Sequence, residues 1–265
     1  PRINAGSRVH KADLGAKILS SEDGEEALNI AWILNDCNDK RKDIQAEMMQ
    51  EALGQVAAGN LDRQEFIFVS DEGWHPGLSG LVAGQVKERF GKPTVCVTFA
   101  KNEKGELEGR GSGRSIPGVN MAEAFIDARN EDIIIKGGGH AMAGGFTLLP
   151  EKLPEFKAFM VEHIAKQAES AQSAVETVID GVLSVQGTKP DFVRMIHEAV
   201  GPFGQEQPEP LFLFSNVRIQ TADIVGAAHI RVMISDWEGG VRMKAMAFRA
   251  VDTPLGDALL KQGQQ

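Results

Sequence analysis

Three glycine-rich stretches hold the residues of this 265-residue chain best suited to chemistry: "GWHPGLSG" at 73–80, "GRGSGRS" at 109–115 and "KGGGHAMAGGF" at 136–146. In the second, Arg110, Ser112, Arg114 and Ser115 interleave with Gly109, Gly111 and Gly113. A guanidinium offers a planar fork to phosphate oxygens, serine adds a hydroxyl, and glycine lets a ligand approach the peptide N–H groups. The natural reading is a phosphate cradle on a loop, with an exposed hairpin of solvated arginines as the alternative. In the third stretch Gly138 and Gly139 lead into His140, between the strand-like runs "DIIIKG" and "GFTLLP". Taken alone, this stretch fits a tight turn, a metal site or a pocket of close backbone approach. In the first, His75 follows a strand-like run, and Ser79 begins an amphipathic helix whose N-terminus would offer N–H groups to an anion.

Other chemistries find less support. His75 and His140 lie in separate stretches, Asp71 is the only carboxylate near either that suggests itself, and no H-E-x-x-H or paired-cysteine pattern occurs, so no metal ligand is assigned. Ser79 sits in "GLSGL", which departs from the G-x-S-x-G nucleophile elbow, and no triad accompanies it. The arginine and serine stretch is neither a P-loop, which ends in Gly-Lys-Ser/Thr, nor G-x-G-x-x-G. These stretches are suited to hold an anion rather than to attack it.

The formal net charge is −9, from 28 Lys and Arg against 37 Asp and Glu, which argues against nonspecific nucleic-acid binding by the whole surface. Residues 73–145 carry nine Lys or Arg against eight Asp or Glu, so a local basic groove stays open there. No run of about 18 apolar residues and no signal-peptide pattern occurs, and Cys37 and Cys96 form no CxxC; a soluble cytoplasmic protein without membrane contact is expected. The chain opens on Pro1, and "PRINAGSR" reads as internal to something longer.

The elements that must position these residues fall into three regions. In the first, residues 1–58, helical spacing of Leu28, Trp32, Ile33, Ile44, Met48 and Leu53 predicts a helix over 22–58, with Ser20 or Ser21 as the cap. At about 1.5 Å per residue the helix would span on the order of 50 Å, a length suited to a bridge between domains. Residues 59–170 alternate strands and helices and read as an α/β domain. Residues 171–265 read as strands with one inserted helix, which suits a mainly β domain of OB type; an antiparallel sheet on a helix is the alternative. There, strand alternation puts His229 and Arg231 on one face, and Arg242 and Lys244 similarly alternate with Met243 and Ala245, a possible groove for the phosphates of a single strand.

Taken together, "PRINAGSR", "GWHPGLSGLVAGQVKERFGKPTVCVTF", "GRGSGRS", "GGGHAMAGGF" and "GPFGQEQPEP" resemble, in order, the C-terminal part of the RecJ family of single-strand-specific 5′ to 3′ DNA exonucleases, within the DHH phosphoesterase superfamily. The resemblance implies a DHH-associated α/β substrate-binding domain, preceded by a long connecting helix and followed by an OB-type domain. It implies a complete enzyme active in DNA repair and recombination that uses Mn2+ or Mg2+ held in another lobe. This chain has no DHH triplet, so no metal and no independent activity are expected of it. By resemblance Arg8, Ser112 and Arg114 grip a 5′ phosphate, His140 faces the scissile phosphate and His75 is a second substrate-side residue. Single-stranded DNA is the implied substrate, and a repair helicase or single-strand-binding protein the implied partner. "FGQEQPEP" departs from the Gly-x-Gly-Asn-Pro form of many relatives. The rival readings are a phosphodiesterase of the same superfamily acting on short oligonucleotides or cyclic dinucleotides, and a noncatalytic binding module.

Overall fold

Asp23 starts the longest element. Its carboxylate accepts hydrogen bonds from the N–H groups of Glu25 (2.8 Å) and Glu26 (3.4 Å), and helix then runs unbroken to Ala58. The cap is therefore Asp23 rather than Ser20 or Ser21; the Ser21 hydroxyl accepts from the Asp23 N–H and binds the Glu26 carboxylate at 2.6 Å. A carboxylate caps well here because its full charge also meets the positive end of the helix dipole.

The computed structural model describes residues 2–170, 177–204 and 207–262. The chain falls into two units, Pro1–Val175 and Glu176–Gln265. The far side of the junction expected at 170–171, and Gln205 and Glu206 of "FGQEQPEP", lie outside the described residues.

In the first unit two short helices, α1 (Gly6–Val9) and α2 (Leu14–Ser20), precede the long α3 (Gly24–Ala58), and Leu14, Ile30 and Leu34 form a small core between them. The second half of α3 is a core helix, with Met48, Ala52 and Val56 packed against Ile67, Val69, Leu78 and Val82. Leu28 and Trp32, two of the apolar markers of this helix, are 59% and 68% exposed. Then follow β1 (Ile67–Asp71), α4 (Ser79–Phe90), β2 (Thr94–Lys101), β3 (Leu107–Arg114), α5 (Met121–Asn130), β4 (Lys136–His140), β5 (Ala143–Leu148) and α6 (Leu153–Ser170). They build one sheet in the order β1-β2-β3-β5-β4, parallel between β1 and β2 and antiparallel elsewhere. Helices α3 and α4 pack on one face, and α5 and α6 on the other.

Most of the "GRGSGRS" stretch is thus strand β3 rather than a loop, and "KGGGHAMAGGF" is the β4–β5 hairpin, whose strands extend through the glycines to a tight turn at Ala141 and Met142. Side chains alternate across a strand, so Gly109, Gly111 and Gly113 share one face. On that face a Cβ at Gly111 would overlap the Phe146 ring, and one at Gly113 would come within 2.7 Å of Phe125. Gly144 is blocked in the same way, 2.8 Å from Phe125. These glycines let aromatic rings lie directly on the sheet: the Phe125–Phe146 and Phe146–Phe156 centroids are 4.8 Å and 4.4 Å apart. Gly138 and Gly145 face the other way and meet open space, with nothing within 4 Å of a Cβ at Gly138 and only the Gly111 carbonyl, at 3.5 Å, near one at Gly145.

The second unit contains β6 (Gly181–Leu183), α7 (Pro190–Ala199), β7 (Phe212–Phe214), β8 (Val217–Val225), β9 (His229–Asp236), β10 (Arg242–Ala247) and α8 (Pro254–Gln262). Its described strands form a parallel pair, β6-β7, and an antiparallel sheet, β10-β9-β8. The inward residues Val232 and Ile234 pack with Val185, Val217, Ile219, Met243 and Ala245, as the alternation in the sequence requires. Helix α8 was not anticipated; Leu259 joins this core from it.

The two classes of glycine predict opposite responses to one added methyl group. Gly111→Ala should destabilise the fold by about 1–3 kcal/mol or more through overpacking, whereas Gly138→Ala should leave stability unchanged or raise it by up to about 1 kcal/mol; urea denaturation of both variants measures the contrast. Burial pushes the Cys96 thiol up to about 12. Cys96 should therefore resist thiol reagents at pH 8 in the native state and react only on unfolding, as timed labelling with and without denaturant would report.

Candidate nucleic-acid interface

Ser112 and Arg114 project to the face covered by α4, since they lie opposite Cys96 and Thr94 in the β2–β3 register and Cys96 belongs to the α3/α4 core. There they meet the start of α4. Ser112 Oγ lies 3.2 Å from Ser79 Oγ, and a Cβ on Gly80 would lie 2.6 Å from a terminal nitrogen of Arg114, so glycine at 80 makes room for the guanidinium. Leu78, at the N-cap position, supplies no side-chain cap to the helix.

Arg8 reaches the same place from α1. Its Nη1 donates to the Gly77 carbonyl at 3.1 Å, and its own carbonyl packs so closely on Gly77 that no Cβ would fit. His75 Nδ1 accepts from the Gly77 N–H at 3.1 Å, which places the ring's proton on Nε2 and leaves that atom as the donor. The segment is fastened to α3 by Trp74, whose Nε1 donates to Glu51 at 2.5 Å. Burial, and then the charge of Arg8, hold the Arg114 guanidinium below its ordinary pKa. Among the described residues neither arginine forms a salt bridge to a carboxylate. Two neighbouring cations without an anion between them make a site whose electrostatics improve when an anion enters.

The sheet continues this site sideways. The cross-strand rows on this face are Arg114, Ala143 and His140, then Ser112, Gly145 and Gly138, then Arg110, Thr147 and Lys136. Gly145 and Gly138 form a bare peptide floor, and Arg110, Lys136, Gly145 and Thr147 line a cleft of about 450 Å³ over it. His140 is exposed and ends β4 two strands from Arg114, roughly 10 Å away at the usual strand spacing. The trough thus runs from the Arg8–Ser112–Arg114 corner towards the His140 edge.

Several expected site residues have other work. Ser115 is buried, donates its hydroxyl to the Val119 carbonyl at 2.6 Å and lies off the trough; it fixes the chain leaving β3. Gly113 faces the phenylalanine core rather than a ligand, and Gly139, at φ +147°, makes room for the backbone of Ala143 and Gly144. Ser79, Gly80, Lys136 and Gly145 lie along the same corner and trough; of these the sequence pointed only to Ser79, as the start of a helix that could face an anion. In the second unit Arg242 and Lys244 are exposed on the outer face of the β8–β10 sheet, in rows with Arg218 and Ser235, and with Thr221 and Met233. Arg231 shares this face but pairs with Asp223 at 3.2 Å, and His229 Nδ1 accepts from the Arg249 N–H at 2.9 Å.

The donors of the trough are guanidinium, ammonium, hydroxyl and imidazole groups. This set does not suit Mn2+ or Mg2+, which take carboxylate and carbonyl oxygens. Elsewhere in the described residues, Glu123, Asp127 and His163 bring one possible ligand atom each within 4.8 Å of one another, on the helices of the opposite face.

Residues 63–166 match the DHHA1 domain, and residues 179–264 match the RecJ OB domain. The chain is 34% identical over 260 residues to the single-stranded-DNA-specific exonuclease RecJ of Salmonella typhimurium, covering 96% of this chain and 44% of that protein. It is 34% identical over 238 residues to the Bacillus subtilis protein of the same name, covering 88% and 29% respectively. The crystal structure of RecJ in complex with Mn2+ from Thermus thermophilus superposes with a TM-score of 0.73 at 29% identity, over 95% of this chain and 35% of that one. The chain therefore spans less than half the length of these relatives. With the DHHA1 and RecJ OB matches in order over residues 63–264, and a RecJ relative aligned along 96% of its length, the chain belongs to the RecJ family, of which it carries the DHHA1 and OB portion.

Proposed function

We propose that this chain is the substrate-clamping part of a single-stranded-DNA-specific 5′ to 3′ exonuclease that releases 5′-mononucleotides in DNA repair and recombination. The observation that carries the proposal is the convergence of Arg8, Ser112 and Arg114 at the start of α4, beside a sheet floor stripped of side chains. The two guanidiniums and the serine hydroxyl take the terminal 5′ phosphate, with His75 Nε2–H beside them. The following backbone lies over Gly145 and Gly138 between Arg110, Lys136 and His140, where an added Cβ would stand in its path. His140 faces the scissile phosphate as an auxiliary group. The trough donors do not suit a divalent metal, whose charge stabilisation would have to come from residues outside this chain, so the part of the reaction assigned to this chain is binding and orientation.

The outward cations of the second unit favour a long single strand over a dinucleotide substrate. A cytoplasmic location and a repair helicase or single-strand-binding protein as partner belong to the same proposal and rest on the family resemblance.

Binding of 5′-phosphorylated and 5′-hydroxyl single-stranded DNA, followed by fluorescence anisotropy, tests this reading. The wild-type chain should prefer the phosphorylated end, and Arg114→Ala should lower that preference about tenfold or more, the range of a charged hydrogen bond. Equal losses on both ends would remove the terminal-phosphate role. Without DNA, Arg114→Ala should melt at or above the wild-type temperature, because a half-buried cation and its repulsion with Arg8 are removed, while the stabilisation that millimolar phosphate gives the wild type should vanish. Gly138→Ala, which has space for its methyl group in the free protein, should fold normally and still bind DNA more weakly.

A further inference from the structure

The single-stranded-DNA reading leaves the exposed Trp237 of the second unit without a role. Trp237 follows β9 in a turn closed by Gly239 and Gly240, at φ +81° and +111°, and it is 63% exposed. The Arg218 guanidinium sits 5.0 Å from its ring centroid, so one face of the indole is backed by a cation and the ring is held in place. A cleft of about 650 Å³ opens beside it, lined by Gln186, Ser215, Asn216, Asp236 and Glu238.

We infer that this cleft is a base subsite, in which one unstacked nucleobase of the strand packs on the indole of Trp237. The inference rests on the proposal that the chain binds single-stranded DNA. The cleft cannot serve a phosphate: its two charged groups are Asp236 and Glu238, both carboxylates, and Asp236 already accepts from the Val185 N–H at 3.0 Å. A nucleobase is neutral and flat, and its amine and carbonyl edges match the amides of Gln186 and Asn216, the Ser215 hydroxyl and the Glu238 carboxylate. The strand's phosphates have their own cations next door. Arg218 stands in the same cross-strand row as Arg242, and Lys244 lies in the next row. Arg218 therefore joins the two halves of the arrangement, presenting one side to the indole and charge to the sheet face. An exposed tryptophan beside a cationic strip is the pairing that single-strand binders use to hold successive bases without choosing among sequences.

The test is anisotropy titration of the full chain with single-stranded DNA and with the same sugar-phosphate length carrying abasic sites throughout. Trp237→Ala should weaken binding of the normal strand by roughly fivefold to a hundredfold, the span of base–aromatic stacking, and leave the salt dependence unchanged because no phosphate contact is lost. Trp237→Phe should recover most of the affinity. On abasic DNA the wild type and both variants should bind alike. Unchanged affinity of Trp237→Ala for the normal strand, or an equal loss on abasic DNA, would overturn the base subsite and leave the terminal-phosphate clamp standing. Absence of any wild-type binding at low salt would overturn both.

Discussion

Everything in the first unit depends on how close aromatic rings can come to a sheet. Phe125, Phe146 and Phe156 lie against β3, β4 and β5 only because Gly111, Gly113 and Gly144 give up their side chains there. Protein interiors are packed to crystal-like density, so a methyl group at any of these positions would push a ring off the sheet. Glycine costs strand stability through its backbone freedom. That cost is offset by burial of large rings, each of which removes 150–250 Å², on the order of several kcal/mol, from water.

The same glycine-rich pairing creates the opposite face. With the core-side positions fixed, the register places Gly145 and Gly138 side by side on the other surface, next to Ser112. No hydrophobic cover is needed there, and α4 ends the coverage at Ser79 and Gly80. A single strand pair thus supplies a core wall on one face and a floor bare of side chains on the other. The helix start, the β3 side chains and the α1 arginine meet at one corner because each is fixed by a separate element, so the corner is already formed in the free chain.

Much of this arrangement was legible in the residues. The long helix, the alternation of strands and helices in the first unit and the outward Arg242 and Lys244 all follow from periodicity, which local sequence carries. The glycine strands followed only in part: "LEGRGSGRS" falls within the alternation of strands and helices, yet its glycines also read as a loop, because glycine signals a turn unless its partners are known, and those partners, Phe125, Phe146 and Phe156, are distant in sequence. One local sign was available: Gly-Arg-Gly-Ser-Gly-Arg alternates with the period of a strand, with glycine standing where an apolar residue would. Ser115 continues that text but not that strand, so composition alone placed it in the site while the turn buried it. Arg8 came from resemblance, since nothing near it in the sequence points to a pocket 69 residues away. Trp237 gave no signal, because a lone tryptophan in a polar turn becomes a platform only when a folded neighbour such as Arg218 backs it.

Charge placement reconciles a net charge of −9 with an anionic ligand. Acidic residues crowd α3, where Asp36 and Asp39 pair with Lys40 and Lys42 on an exposed surface. Such pairs are screened and contribute little at long range. The Arg8–Arg114 corner is partly buried, is screened less, and lacks a paired carboxylate among the described residues. Under the proposed function, a strand meets two narrow strips of cations rather than the whole surface. On the same proposal, the net negative charge of the rest of the surface weakens indiscriminate adhesion to nucleic acid.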